Sequence, residues 1–193
     1  MTETLVKELS RSEKPALEIH FLSLAHDDRR LRFGTAINDF VIHAYVMAIN
    51  FERDAVFGVL DHDLRIIGAA HLAHSADHAE LGVSVLSSHR GRGIGGLLLR
   101  RAHVHARNNG ASALFMHCLT ENSAMMHMAR KQRMEVVVAT DEADAWLKLP
   151  IADTLSRASE ATEQRIALVD YALKSKHVIE RRAKREAATI SAL

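Results

Sequence analysis

The sequence predicts an α/β (α+β) domain over residues 1–150 and a helical extension over residues 151–193. Three observations predict it. Hydrophobic periodicity switches between two and about 3.6 residues along the first 150 positions. A short apolar strand at residues 80–86 runs through a glycine-rich loop straight into an amphipathic helix. Beyond Pro150 there is neither glycine nor proline, so nothing interrupts a long helix.

Residues 16–21 alternate, with Leu17, Ile19 and Phe21 on one side, and read as a first strand. Residues 27–33 read as a charged helical turn. Residues 38–50 set Phe40, Ile42, Ala44, Met47 and Ile49 in a second helix. Residues 55–60 and 64–71 read as a hairpin joined through the polar turn Asp61, His62 and Asp63. After the strand at 80–86 comes a helix at 94–108, whose end is marked by Asn109 and Gly110. A strand at 113–119, a helix at 122–132 and a hairpin at 134–140 and 143–149 complete the domain. In the extension, Leu155, Thr162, Ile166, Val169 and Leu173 keep a heptad spacing until Lys176 and Glu180 break it. Two heptads are too few for a coiled coil. The stripe is expected to be buried, either on the chain's own domain or in a homodimer. The basic end around Arg181, Arg182, Lys184 and Arg185 reads as a solvated face.

A chain of 193 residues supports one domain with an appendage, not two full domains. The net charge of +1 gives no electrostatic case for a nucleic-acid or membrane partner. Cys118 is the only cysteine, which excludes an intrachain disulfide framework and a cysteine-rich metal site. The first residues carry no basic segment followed by an apolar core, and no apolar run is long enough to span a bilayer. A cytoplasmic protein is the expectation.

The residues most tied to chemistry are Arg90, Gly91, Arg92, Gly93, Ile94, Gly95 and Gly96. Repeated glycines let backbone approach a ligand closely, several N–H groups can converge on an anion, and the helix N-terminus adds its dipole. No Lys-Ser/Thr follows, so this is not the phosphate loop of ATPases. Gly91, Gly93 and Gly96 also fit a dinucleotide fingerprint. However, Ser87, Ser88, His89 and Arg90 separate strand from glycines, and too few strand–helix units follow. A ligand-free turn is the plainest alternative, but four glycines in six residues beside two arginines exceed what a turn needs.

Read as Arg90-x-x-Gly93-x-Gly95, the loop resembles that of the GNAT N-acetyltransferases, which cradle the pyrophosphate of acetyl-CoA with Arg/Gln-x-x-Gly-x-Gly/Ala. The element order over residues 16–149 matches that family as well. The resemblance implies the GNAT fold, a central mixed and mostly antiparallel sheet with flanking helices. It also implies acetyl-CoA as cosubstrate, without a metal, and direct transfer of acetyl to a primary amine on a protein lysine or a small molecule. By position, the backbone donor to the thioester carbonyl lies among Val83, Ser84 and Val85, where the family's two parallel strands splay apart. Glu121, Asn122, Ala124, Met125, Ala129 and Arg130 resemble the pattern by which some members place an asparagine against the CoA arm. An asparagine there is equally an ordinary N-cap.

Glu80 shares a strand face with Gly82 and Ser84. In members resembling bacterial protein lysine acetyltransferases, a glutamate at this place is the proposed base. Asp28, Arg29, Arg30, Leu31, Arg32 and Phe33 also resemble an element of those proteins. A surface carboxylate is the alternative for Glu80. His117 is a second candidate base, although a lone strand histidine usually belongs to the core. Two departures stand out: Ala129 occupies the position of the family's acidic tyrosine, and Arg133 that of a common glycine. Ala129 leaves room for a different class, a catalytically silent acyl-CoA-binding module signalling through its C-terminal helix. His71, His74 and His78 lack metal-ligand spacing, the first two point to opposite strand faces, and all three read as exposed hairpin residues. Ser84 lacks a nucleophile-elbow context, which excludes a hydrolase.

Overall fold

The computed structural model describes residues 4–191. Residues 1–3 at the start of the chain, and in the basic end the side chains of Arg182 and Arg185, lie outside the described ones. A seven-stranded sheet carries helices on both faces and a long helix follows it. In chain order the elements are β1 (Lys7–Glu8), α1 (Lys14–Leu22), α2 (His26–Phe33), α3 (Asp39–Ala48), β2 (Ala55–Leu60), β3 (Ile66–His74) and β4 (His78–Val85). Then come α4 (Ile94–Asn108), β5 (Ala113–Leu119), α5 (Ser123–Lys131), β6 (Glu135–Ala139), β7 (Glu142–Lys148) and α6 (Thr154–Ser191). The spatial order of strands is β1-β2-β3-β4-β5-β7-β6, and β4–β5 is the single parallel pair. This is the expected mixed, mostly antiparallel sheet.

The expected strand at residues 16–21 is instead the helix α1. Leu17, His20 and Phe21 are buried at helical spacing, while Ile19 is 64% exposed. Local signals explain the helix. Pro15 sits in its first turn, and a capping box between Ser10 and Glu13 opens the 3₁₀ turn that leads into it. The alternation of Leu17, Ile19 and Phe21 was coincidental. The first strand is the short β1, paired to the edge of β2.

Each face of the sheet has its own core. On one face, Leu98, Leu99, Ala102 and Ala106 of α4 pack on Leu72 and Leu81. Each buried leucine there contributes roughly 1.5–3 kcal/mol. On the other face, α1 and α3 bring Leu17, Phe21, Ile42 and Val46 against Val56, Ile66 and Ala69.

The extension is helical, but the side it turns to the domain is polar. Arg101 of α4 is 1% exposed, and its guanidinium pairs with Glu160 of α6 at 2.6 Å and Glu8 at 3.3 Å. Glu160 also accepts from Asn108 at 2.6 Å and bonds His105 at 2.7 Å. Burial acts to raise the Glu160 pKa, yet these hydrogen bonds outweigh it and hold the carboxyl at about 2. Among the described residues, Ala167 is the buried apolar residue of this face. The heptad stripe expected to be buried on the domain is not: Leu155, Ile166, Val169 and Leu173 are exposed. Heptad spacing found the apolar side of α6, whereas a buried arginine decides which side meets the domain.

Candidate active site

β4 and β5 pair only from His78–Ala113 to Glu80–Phe115, although β4 continues to Val85 and β5 to Leu119. A cleft opens where they part. The Leu86 N–H donates to the Ile67 carbonyl at 3.0 Å, so the antiparallel ladder turns even-numbered residues of β4 toward β3. The N–H groups of Val83 and Val85 therefore face the cleft, and that of Ser84 faces β3. The Ser84 hydroxyl lies 2.8 Å from His20 Nε2, and His20 Nδ1 lies 2.8 Å from the Ile66 carbonyl. Burial lowers the His20 pKa to about 4. A neutral ring then donates to Ile66 and accepts from Ser84.

Beyond β4, Gly91 and Gly93 adopt φ of 75° and 77°, where a Cβ is strained, and both face open space. Gly93 is the N-cap of α4 and no side chain caps that end. The first N–H groups of α4 thus have no intrahelical acceptor, the geometry that suits an anion. Gly95 is small for another reason: a Cβ there would meet Met128 Sδ at 3.2 Å, so glycine lets α4 lie against α5. The Ile94 side chain is in the core and Gly96 faces open space. Arg90 is tied to Asp28 at 2.6 Å and to the Val85 carbonyl at 3.3 Å, and Arg92 is exposed.

Asn122 caps α5 by accepting from the Met125 N–H at 3.2 Å and donates to the Leu31 carbonyl at 3.2 Å. One donor and one acceptor position of its amide remain for a ligand. Arg30 of α2 pairs with Glu121. Together with Arg90–Asp28 and Asn122–Leu31, this pair straps α2 across the mouth of the cleft.

Beneath that strap lies a cavity of about 310 Å³, lined among others by Arg32, Tyr45, His71, Glu80, Gly82 and His117. Glu80 faces it from the last paired position of β4. His117 is exposed on this side rather than part of the core. Its bond to Asp144 at 2.8 Å is the main cause of a raised pKa, which suits a proton donor better than a base.

Like His78, His71 and His74 are not the exposed hairpin residues expected; all three are half-buried, because β3 and β4 are interior strands. They do lie on opposite faces, His71 in the cavity and His74 beside the His105 ring at 6.0 Å. Burial lowers the His71 pKa to about 4. Sequence reasoning missed Tyr45 and His71 as cavity residues, since no motif joins positions so far apart. Among the described residues no group of three or more His, Cys, Asp or Glu could hold a metal ion, and no helix is long and apolar enough to cross a membrane.

A sequence model described as the acetyltransferase (GNAT) family matches residues 20–133. Among solved structures, the GNAT domain of PAT from S. lividans superposes with a TM-score of 0.64 at 16% identity, covering 75% of this chain and 89% of that one. A Salmonella typhimurium protein solved with its cofactor acetyl-CoA gives 0.60 at 16%, covering 79% and 98%. A ribosomal-protein-alanine N-acetyltransferase from Brucella melitensis gives 0.59 at 20%, covering 75% and 99%. At these identities the likeness shows the fold.

Proposed function

The chain belongs to the acetyltransferase (GNAT) family, and from that premise we propose that it transfers acetyl from acetyl-CoA directly to a primary amine, with Glu80 as the base. The observation that carries this reading is Glu80 facing the cavity at the point where β4 and β5 part, one strand-length from an uncapped, glycine-lined helix N-terminus. The thioester supplies an activated acetyl group. The N–H groups of Ile94, Gly95 and Gly96 receive the pyrophosphate, and Gly91 and Gly93 let the backbone approach it. The Val83 and Val85 N–H groups face the cleft where negative charge develops on the carbonyl oxygen. Glu80 takes the proton of the acceptor ammonium, directly or through water. Ala129 is buried and apolar, so the position of the family's tyrosine offers no acid to the departing thiolate. His117, whose pKa the bond to Asp144 raises, is the cavity's proton donor in this reading.

Residues 1–150 would constitute the catalytic unit, and residues 151–193 the extension that braces it. A homodimer would form through the exposed stripe of α6. Ala129 favours one second reading, an acyl-CoA-binding module without turnover. Mass spectrometry of a lysine peptide, polyamines and amino acids incubated with acetyl-CoA and the protein separates the two. Acetylated product in any amine pool supports transfer; acetyl-CoA binding without product supports the silent module.

A further inference from the structure

Arg32 stands at the floor of the cavity with most of its donors unused. Its guanidinium carbon lies 4.9 Å from the ring centre of Phe33 and 5.7 Å from those of Phe21 and Tyr45. Among the described residues its hydrogen bonding is confined to one contact, from Nη2 to the Tyr45 hydroxyl at 2.9 Å; Nε is buried and unpaired. No carboxylate pairs with it among those residues. A guanidinium carries five N–H donors in a planar fork that matches a carboxylate.

The surroundings hold that fork in one orientation. Tyr45 Oη lies 2.7 Å from His71 Nδ1, and His71 Nε2 lies 3.5 Å from the Asp54 carboxylate. A neutral His71 protonated on Nε2, which is buried without a hydrogen-bond partner among the described residues, accepts at Nδ1 from Tyr45, and the Tyr45 oxygen is then free to accept from Arg32. A Cβ on Gly82 would collide with the guanidinium, so the β4 backbone is shaped to admit it. Glu80 lies two residues from Gly82 on the same strand face, their Cα atoms about 6–7 Å apart by strand rise. The cavity thus presents a carboxylate and an unpaired cation to one small ligand.

We propose that Arg32 binds a carboxylate of the acceptor, and that the acceptor is a small amine carrying a carboxylate a few bonds away, an amino acid. The amine end rests on the acetyl-transfer reading above; the carboxylate end rests on Arg32 alone. Within a protein, a lysine brings such a carboxylate only where an acidic residue lies beside it.

The test uses matched pairs in which an amino acid and its decarboxylated amine share one side chain: leucine with isoamylamine, phenylalanine with phenethylamine, glycine with methylamine. Thiol release from acetyl-CoA is expected to favour the carboxylate member of an accepted pair by about 10–100-fold in kcat/KM, the range for a hydrogen-bonded charge. That preference is expected to collapse toward unity in Arg32→Gln and to persist partly in Arg32→Lys. Calorimetry with the same amino acids provides a readout independent of turnover. Equal or better use of the decarboxylated members by the unaltered protein overturns the carboxylate site while leaving acetyl transfer intact. Binding of an amino acid that Arg32→Gln abolishes, with no thiol released from any amine, keeps the site and removes the acetyl-transfer reading. Absence of both binding and transfer overturns both.

Discussion

The guanidinium of Arg32 occupies the space in which a side chain on Gly82 would begin. This joins two features that are fifty positions apart in the chain: a charged turn in α2 and a glycine within a strand. A Cβ at Gly82 would displace that guanidinium, so glycine at this strand position keeps Arg32 where it is.

Tyr45 links Arg32 to His71, so Tyr45→Phe leaves the His71 Nδ1 acceptor without its donor and Arg32 without its one hydrogen bond. A loss of about 1–3 kcal/mol is expected in urea denaturation, the range for an unsatisfied buried group. An unchanged midpoint would show that the chain from Arg32 through Tyr45 to His71 is not formed in solution.

The loop glycines have separable roles. Gly93→Ala forces a Cβ into φ of 77° at the N-cap of α4 and is expected to weaken acetyl-CoA binding, read by calorimetry, with the fold retained. Gly95→Val is expected to cost stability as well, because its side chain drives into Met128. Equal acetyl-CoA affinity in Gly93→Ala and the unaltered protein would contradict the anion site.

Stability should fall on mild acidification. His20 and His71 have folded pKa values of about 4, below the ordinary 6.5, so the unfolded chain binds more protons between those values. Their contribution is complete above about pH 6.5 and is lost as pH falls toward 4, at a cost on the order of 3 kcal/mol for fully buried His20. Glu160, lowered from 4.5 to about 2, adds a second loss below pH 4.5. Urea melts from pH 8 to 4 test this. His20→Gln is expected to flatten the upper part of the fall, and an unaltered slope would show that His20 is not buried as a neutral ring.

The extension is expected to be structural. Glu160→Ala leaves buried Arg101 with Glu8 alone, and a loss of about 3 kcal/mol is expected, near the lower end for a broken buried pair. Truncation after Pro150 should do the same or more. In sedimentation, a full-length dimer that charged substitutions at Val169 and Leu173 dissolve supports association through α6, and a monomer at all concentrations excludes it.

Much of this was legible in the sequence because local chemistry wrote it. The glycine loop, the α4 periodicity, the Asn122 cap and the face on which Glu80 lies all follow from spacing within one element. Residues 16–21 misled because an alternating pattern overlay a helix whose proof lay upstream, in Ser10, Glu13 and Pro15. The buried face of α6 was hidden because Glu160 means nothing until Arg101, His105 and Asn108 are brought to it. Tyr45 and His71 were hidden in the same way: each enters the cavity from a separate element, and only the packing of α3 on the sheet joins them.

Amine-dependent thiol release from acetyl-CoA, compared between the unaltered protein and Glu80→Gln, is the decisive measurement for base catalysis by Glu80. Release is expected to require an amine and to fall by about 10²–10⁴-fold in the variant, with acetyl-CoA affinity nearly unchanged. Acetyl-CoA binding without amine-dependent release, or equal turnover in both proteins from pH 6 to 9, would contradict it.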